Sequence, residues 1–327
     1  MSTLISRLVG QAVVLAAALA CMGAPARADD FPRKPITIVV PFGPGSGSDI
    51  AARFYARALK DKLDATAVVE LKPGAAGMIA AQSVAKASPD GYTVLMGSGT
   101  VNAANYPLFR EQARYKPEQF AAVATIYVTP PVLFASKKLE GASVGELMAH
   151  AKRTNRKLSC GSGNAVTQVA CELLHRKADA DMVNVPYKGN GQSMTDLASG
   201  QIDLAFADLA AGRAFLSRKD VRPVAVPAGN RLPSIPEVPT FAEQGISDFE
   251  FLSWNTIFVP AGTPQDAIRK LNEAARHMLA SQEWEQMRTT TSGFKVSGDT
   301  AESEAFVKSE VERWERYVRN TGVKGSE

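Results

Sequence analysis

Several apolar runs of the chain end in short loops of glycine and small polar residues, and these loops are where the sequence could do chemistry. The first loop, at residues 41–47, reads Pro-Phe-Gly-Pro-Gly-Ser-Gly and follows a β-branched run at 36–40. A helical repeat of apolar residues comes next, with Ser48 or Asp49 predicted as its cap. Such a loop leaves backbone N–H groups unpaired at the positive end of a helix, where an anion is favoured. The alternative is that the loop is only a tight turn.

The same arrangement recurs along the chain. Residues 72–77 follow a strand predicted at 66–71, residues 97–100 follow one at 92–96, and a fourth loop at 161–164 follows one at 157–160. The carboxyl ends of strands in a parallel sheet lie along one edge, which is where ligands bind. Three such loops in succession in the first part of the chain therefore indicate a binding cleft.

The residues needed for hydrolysis or metal binding are not arranged for either chemistry. A serine nucleophile on a sharp strand-to-helix turn needs Gly-x-Ser-x-Gly, and Ser46, Ser98 and Ser162 all lack the flanking glycines. No His or Cys pair has metal-ligand spacing. The three histidines all fall within predicted helices, at His150, His175 and His277. We therefore expect no enzyme activity, no cofactor and no metal.

The N-terminal segment has the pattern of a secretory signal. It combines Arg7, an apolar stretch at 8–20 and a small-x-small site at residues 26–28, which predicts cleavage after Ala28 and export to the periplasm. The apolar stretch is too short to predict a membrane span. A lipoprotein-type signal ending at Cys21 is the alternative.

The charge of the chain gives no indication of a nucleic-acid partner. The formal net charge is +4, and removal of Arg7 and Arg27 with the signal leaves +2. No cluster of basic residues is interleaved with aromatics, so we expect no nucleic-acid binding.

About 300 residues remain after cleavage, which is enough for two lobes. An extended stretch interrupted at residues 129–131 predicts a crossing from one lobe to the other, and an extended stretch at 251–259 predicts the return. Near the end of the chain, Thr263 is predicted to cap a helix whose first residue is Pro264. A short strand is predicted at 294–296, and Thr300 is predicted to cap the last helix.

Two cysteines remain after cleavage. If Cys160 ends a strand and Cys171 lies in the following helix, the two could form a disulfide, which an oxidising compartment allows. Their spacing alone leaves both the bridged and the free state open.

A series of motifs runs along nearly all of the mature chain. The motifs are Phe31-Pro32-x-Lys34-Pro35-Ile36, Asp49-x-x-Ala52-Arg53, Lys72-Pro73-Gly74-Ala75-x-Gly77, Pro89-Asp90-Gly91-Tyr92-Thr93, Val185-Pro186-Tyr187-Lys188-Gly189, Gly200-Gln201-Ile202-Asp203 and Pro260-Ala261-Gly262-Thr263-Pro264. In identity and order they resemble the receptors of the tripartite tricarboxylate transporter system, the Bug or TctC-type periplasmic solute-binding proteins.

The resemblance implies a binding site for one carboxylate, held by the first two glycine loops through backbone N–H groups and bridging water. It adds a third loop, the start of an anion-facing helix in the second lobe, and an acidic position. The implied ligand-binding residues are Phe42, Gly43, Pro44, Gly45, Ser46, Gly47, Gly74, Ala75, Ala76, Gly77, Ser98, Thr100, Ser162, Gly163, Asn164, Ala165 and Asp208.

The resemblance also implies an α/β fold of the two-lobe periplasmic binding protein type (type II-like). Each lobe is expected to be a mostly parallel sheet flanked by helices, with two crossing segments as the hinge. The signal peptide covers 1–28, lobe 1 covers 29–128 and 251–327, and lobe 2 covers 129–250. The implied protein is a monomer that passes a small carboxylate to the membrane permease subunits of such a transporter. A receptor that signals to a membrane sensor and an exported hydrolase are the alternatives.

The chain departs from the family at a few site positions. It has Gly45-Ser46 where the family usually has Gly-Gly, and Ala76 and Ala80 where the family usually has glycine. The segment from Ala165 lacks the family's usual serines and histidine. These departures affect which ligand is expected more than which fold.

Several residues have two possible roles. Asp49 could cap a helix or contact the ligand, and Asp208 could cap the end of a strand or contact the ligand. Tyr187 and Lys188 could shape the rim of the second lobe or touch the ligand, and Trp254 could pack in the hinge or line the cleft.

Overall fold

The β-branched run at residues 36–40 forms a central strand in the computed structural model, which describes residues 31–178, 180–217 and 219–321. Ile36, Ile38 and Val40 on one face are fully buried and Val39 on the other face is 1% exposed, as expected of a strand covered on both faces. The predicted signal peptide, its cleavage after Ala28 and the alternative at Cys21 lie outside the described residues.

The described residues form two five-stranded sheets. The first has the order β2-β1-β3-β10-β4 and comprises β1 (Ile36–Val40), β2 (Ala67–Leu71), β3 (Thr93–Ser98), β4 (Phe120–Thr129) and β10 (Ser253–Pro260). The second has the order β7-β6-β8-β5-β9 and comprises β5 (Val132–Ser136), β6 (Leu158–Ser162), β7 (Met182–Pro186), β8 (Leu204–Ala207) and β9 (Val221–Ala225).

Both sheets are mixed in the same way. In the first, β1 pairs in parallel with β2 and β3, whereas β10 is antiparallel to β3 and β4. In the second, β6 pairs in parallel with β7 and β8, whereas β5 is antiparallel to β8 and β9. In each sheet one strand therefore opposes the other four, and the loops after the parallel strands lie along one edge.

Ten α-helices connect these strands in the part of the chain that the structure describes. They are α1 (Gly47–Leu63), α2 (Met78–Ala85), α3 (Asn105–Leu108), α4 (Val144–Arg153), α5 (Ala165–Ala178), α6 (Asn190–Ser199), α7 (Leu209–Ser217), α8 (Gln265–Leu279), α9 (Gln282–Thr290) and α10 (Thr300–Thr321). A π-helical turn, Thr100–Ala104, precedes α3. No sequence pattern predicts the π-helical turn, α3 or α7.

The chain crosses to the second sheet through a short segment and returns to the first through a longer one at residues 226–252. Pro130 and Pro131 separate β4 from β5, and neither proline has an N–H with which to continue a strand ladder. The return segment before β10 packs against α10, where the ring centroids of Phe251 and Tyr317 are 5.5 Å apart. Further along, the rings of Trp254 and Phe306 are also 5.5 Å apart. The C-terminal helix therefore supports the second crossing segment.

The cap of α1 is Ser46, and the prediction of Ser48 or Asp49 was wrong. Ser46 has extended backbone angles, and its Oγ accepts from the Asp49 N–H at 3.2 Å. Ser46, Ser48 and Asp49 could each act as the cap. The backbone conformation of the loop determines which of them stands just before the first helical residue. Asp49 lies in the first turn and accepts from the Gly45 N–H at 2.9 Å.

Three predictions near the C-terminus were also wrong. Thr263 does not cap α8, because its hydroxyl donates to Pro260 O at 2.7 Å and Pro264 lies outside the helix with ψ of 137°. The cap of α10 is Asp299, whose Oδ1 accepts from Glu302 N, whereas the Thr300 hydroxyl donates to Val123 O. Residues 294–296 form no strand, although Phe294 N donates to Val128 O at 2.7 Å.

A disulfide joins Cys160 and Cys171, with 5.9 Å between their Cα atoms. Cys160 is the middle residue of β6, so the bridge joins this strand to α5, the two elements that flank the loop at residues 163–164. Of the two states that the sequence left open, the structure shows the bridged one.

Within residues 31–178, 180–217 and 219–321, no helix combines the length and the apolar character needed to span a bilayer.

Candidate functional site

Two adjacent cavities lie where the strand-end loops of the two sheets face each other. The larger has a volume of about 920 Å³ and the smaller about 50 Å³. Phe42, Gly163 and Asn164 line both of them, which places residues of both sheets at the junction.

The first loop is held by Asp49. Its Oδ2 accepts the Gly45 N–H, and its Oδ1 lies 2.9 Å from Arg53 Nε. Ser46 Oγ accepts the Asp49 N–H, so these two side chains fix the loop where it enters α1. The N–H groups of Gly47 and Ser48 then have no acceptor among the residues described, and both residues line the small cavity. Asp49 therefore organises the loop from within it.

The second loop takes a left-handed path over four successive residues. The φ angles are +124° at Gly74, +46° at Ala75, +49° at Ala76 and +83° at Gly77. Glycine adopts such angles freely, but each alanine is strained there. A Cβ on Gly77 would lie 2.7 Å from a methyl of Val101, so this glycine is also required by close packing. All four residues line the large cavity.

The third loop supplies hydroxyl groups to the small cavity. Ser98 and Thr100 line it, and Ser98 Oγ accepts from Val101 N at 3.3 Å. Both residues are buried, at 7% and 2% exposure. The π-helical turn begins here and continues into α3.

In the second lobe, Asn164 caps α5. Its Oδ1 accepts from Thr167 N at 3.0 Å, while Thr167 Oγ1 accepts the N–H groups of Gly163 and Asn164. For the N–H groups of Ala165 and Val166, the described residues offer no acceptor. The positive end of α5 is therefore directed toward the cavities.

Asp208 has the capping role and also lines the small cavity. Its Oδ1 accepts from Ala211 N at 2.8 Å in the first turn of α7. Its Oδ2 accepts from Asn190 Nδ2 at 3.2 Å and lies 3.7 Å from the position that a Cβ on Gly47 would take. Gly47 and Asp208 thus face each other across the two lobes.

The structure brings most of the implied ligand-binding residues to these cavities. Those that line at least one cavity are Phe42, Ser46, Gly47, Gly74, Ala75, Ala76, Gly77, Ser98, Thr100, Ser162, Gly163, Asn164, Ala165 and Asp208. Gly43, Pro44 and Gly45 line neither, and the Gly45 N–H is already bonded to Asp49.

Sequence reasoning missed a segment after α3. Phe109, Glu111, Gln112 and Arg114 line the large cavity. This segment lacks the glycine-rich pattern of the other loops, so no local signal indicated it. Gln82 on α2 and Gln168 on α5 were missed for the same reason.

Two residues whose role the sequence does not decide line the outer part of the large cavity. Tyr187 and Lys188 are both in its lining, and the Tyr187 hydroxyl donates to Asp196 Oδ2 at 2.8 Å. Burial, together with that carboxylate, raises the pKa of Tyr187 to about 12, so its hydroxyl stays neutral at physiological pH.

Trp254 both packs beside the crossing segment and lines the small cavity. Its Nε1 donates to Glu310 Oε2 at 3.1 Å, and Glu310 is only 1% exposed. Burial raises the pKa of the Glu310 carboxyl, although Arg313 and Trp254 oppose that shift.

Cations and carboxylates are sparse in both linings. In the large cavity, Arg114, Lys188 and Glu111 carry charge, and all three side chains are exposed. In the small cavity the charged residue is Asp208. Within the described ranges, no group of three or more His, Cys, Asp or Glu is arranged to hold a metal. Apart from the Asp208 carboxylate, the small cavity therefore offers N–H groups, hydroxyls and amides.

The chain is similar in sequence to known proteins. The family model described as tripartite tricarboxylate transporter family receptor matches residues 51–323. The chain is 30% identical over 310 residues to protein BugT of Bordetella pertussis, which covers 94% of this chain and 95% of BugT.

Solved structures of similar proteins match the chain in fold. An R. palustris protein solved with adipate is 30% identical with a TM-score of 0.85, covering 90% of this chain and 99% of that one. MatC from Rhodopseudomonas palustris with bound malate is 28% identical with a TM-score of 0.83, covering 88% and 100%. The likeness to periplasmic binding proteins confirms the two-lobe α/β fold.

Proposed function

Because the chain belongs to the tripartite tricarboxylate transporter receptor family, we propose that it is a periplasmic receptor that captures a small organic carboxylate between its lobes and delivers it to the membrane permease of such a transporter. The observation that carries this proposal is the set of unpaired N–H groups at the two cavities. They belong to Gly47, Ser48, Ala165 and Val166 at helix starts, and to the second loop.

Unpaired N–H groups suit a carboxylate for a physical reason. A hydrogen bond to a charged group contributes about 1.5–3 kcal/mol, roughly twice the contribution of a neutral one. The N–H groups are held by the backbone, so binding orders few side chains. The residues implied by the sequence that line the cavities are therefore our proposed ligand contacts, with Gly43, Pro44 and Gly45 shaping the first loop.

The outer part of the large cavity favours a second acidic group on the ligand. Arg114 belongs to the segment after α3, and Lys188 follows β7 in the other sheet. Neither has a hydrogen-bond or ion-pair partner in the described part of the chain, and Glu111 offsets one of the two charges. Adipate and malate, which are bound in two related structures, are both dicarboxylates. A dicarboxylate would place one end at the N–H groups and the other near these cations.

A thermal-shift screen tests ligand capture. The purified protein is heated with dicarboxylates, amino acids, aromatic acids and, as controls, neutral sugars. A ligand at a hundred times its Kd should add about 2.7 kcal/mol to the free energy of unfolding. Stabilisation by sugars but by none of the acids would overturn the proposal. Recovery of the ligand unchanged after incubation is expected of a receptor without enzyme activity.

Delivery to a permease needs its own test. Membrane vesicles that contain the permease subunits should take up the labelled carboxylate only when the receptor is added. Uptake at the same rate without the receptor would refute delivery. Light scattering of the purified receptor should give the mass of a monomer.

We further propose that the lobes divide at the two crossings, with lobe 1 at 29–128 and 251–327 and lobe 2 at 129–250. Support comes from the sheet membership of the strands, since β4 ends at Thr129 and β10 begins at Ser253.

Export rests on the sequence pattern before Asp29. Intact-mass measurement of the exported protein should show Asp29 as its first residue, with residues 1–28 removed. A mass that includes a lipid on Cys21 would instead make this a membrane-tethered receptor.

A further inference from the structure

The second loop holds a conformation that its own sequence disfavours. Ala75 and Ala76 both have left-handed φ, at +46° and +49°. An L-residue with a Cβ prefers to leave this region, so contacts have to offset the cost; one lies within the loop, where the Gly77 N–H donates to Gly74 O at 2.9 Å. The N–H groups of both alanines have no acceptor among the described residues, and both alanines line the large cavity.

Asn105, at the start of α3, contacts the loop from outside it. It is fully buried, and its Nδ2 donates to Ala76 O at 3.0 Å. The same nitrogen donates to the Tyr115 hydroxyl at 3.2 Å, and that hydroxyl donates to Val101 O at 2.6 Å. Because the Ala76 carbonyl can only accept, the orientation of the Asn105 amide is determined.

These contacts tie together three parts of the site that are distant in sequence. The second loop meets Asn105 through Ala76 O, and the π-helical turn meets Tyr115 through Val101 O. Tyr115 in turn directly follows the segment at 109–114 that lines the large cavity. The loop, the turn and that segment therefore share one buried junction.

We propose that Asn105 is a positioning residue for ligand binding: it keeps Ala75 and Ala76 left-handed, so that their N–H groups remain available to a carboxylate. The inference rests on the proposed function, because it assigns the second loop to the carboxylate. Without Asn105, the loop relaxes and only a fraction of molecules holds the binding conformation. The apparent Kd rises by the inverse of that fraction.

The test is a double-mutant cycle with adipate and malate as probes. Asn105→Ala should raise the Kd for each probe by about tenfold. The factor should be similar for adipate and malate, because the affected loop holds the carboxylate group that both of them have. Ala76→Gly removes the cost of the left-handed angle, since glycine adopts it freely. In the Ala76→Gly background, Asn105→Ala should therefore cost clearly less, about threefold or below.

Asn272→Ala is the matched control. Asn272 also uses its Nδ2 to hold two carbonyls, Val123 O at 2.8 Å and Gly298 O at 2.6 Å, but it lines neither cavity. Its replacement should lower the melting temperature without changing the affinity for either probe. If Asn105→Ala does not fold, as judged by circular dichroism, Tyr115→Phe replaces it in the cycle, because it removes only the hydroxyl.

Two results would overturn the inference. One is unchanged affinity in the folded Asn105→Ala protein, and the other is a loss in the Ala76→Gly background as large as in the parent. Both require a parent protein that binds carboxylates. Failure of the parent to bind any acid would instead refute the proposed function, and the inference would fall with it.

Discussion

Replacing Gly47 with valine should weaken carboxylate binding by about 10- to 150-fold while leaving the protein folded. A Cβ at this position would lie in the small cavity, 3.7 Å from Asp208 Oδ2, and the valine methyls would extend further. The cavity has a volume of only about 50 Å³, so they would displace whatever occupies it. Loss of one charge-assisted hydrogen bond costs about 1.5–3 kcal/mol, which gives that range at 1.4 kcal/mol per tenfold change.

Gly43→Val is the matched control in the same loop. No heavy atom lies within 4 Å of a Cβ built on Gly43, its φ is not in the left-handed region, and it lines neither cavity. The same substitution should therefore leave affinity nearly unchanged. Surface substitutions of this kind change the free energy of unfolding by about 0.5 kcal/mol, so both variants should remain folded.

Calorimetric titration of the best acid from the thermal-shift screen measures both variants. Tryptophan fluorescence offers a second readout, because Trp254 lines the small cavity. Normal affinity in a folded Gly47→Val protein would mean that the ligand does not use the start of α1. An equal loss of affinity in both glycine variants would mean that valine disturbs the whole loop and not only the N–H groups at its end.

Three further predictions follow from single features of the structure. Replacing both Cys160 and Cys171 with serine should lower the free energy of unfolding by about 2–3 kcal/mol, because the bridge closes a loop of 11 residues in the unfolded chain. Urea denaturation measures this difference, and an unchanged value would refute a stabilising bridge. Arg114→Gln and Lys188→Gln should each weaken adipate binding by up to about fivefold, and by less at high salt. Neither should change the binding of hexanoate, which has only one carboxylate. Equal effects on both acids would contradict a role for these cations at the distal carboxylate. Burial raises the pKa of Glu310 above 4.5, so the folded state keeps this proton to higher pH than the unfolded chain does. The free energy of unfolding should then fall as pH rises above about 4.5, and Glu310→Gln should flatten that slope.

If backbone N–H groups hold the ligand, as proposed, the site needs few charges of its own. Asp49 is the nearest carboxylate to the first loop, and both of its oxygens are engaged, one by the Gly45 N–H and the other by Arg53. This engagement keeps the aspartate from competing for the Gly47 and Ser48 N–H groups. An anionic ligand can then approach these N–H groups at the positive end of α1, and the Asp208 carboxylate of the other lobe is the negative group that faces them.

Most of the architecture could be predicted from the sequence, because each unit has a local cause. The run at 36–40 has no polar alternation, so it forms a strand buried on both faces, and the prolines and glycines after it end that strand. The apolar repeat of α8 likewise predicts an amphipathic helix, although the prediction placed its start at Pro264, one residue too early. Caps were less predictable, because several residues near each helix start can accept the same N–H.

The sequence by itself determined that strand-end loops would gather at one edge, since that depends only on the order of strands, loops and helices. The tertiary structure decided which N–H groups in those loops stay unpaired. Gly45 loses its N–H to Asp49 four residues away, whereas Gly47 keeps its own. In the second loop, Ala76 O accepts from Asn105, which is 29 residues further along the chain. Whether a polar group is free depends on every atom within about 3 Å of it, and residues distant in sequence supply many of those atoms.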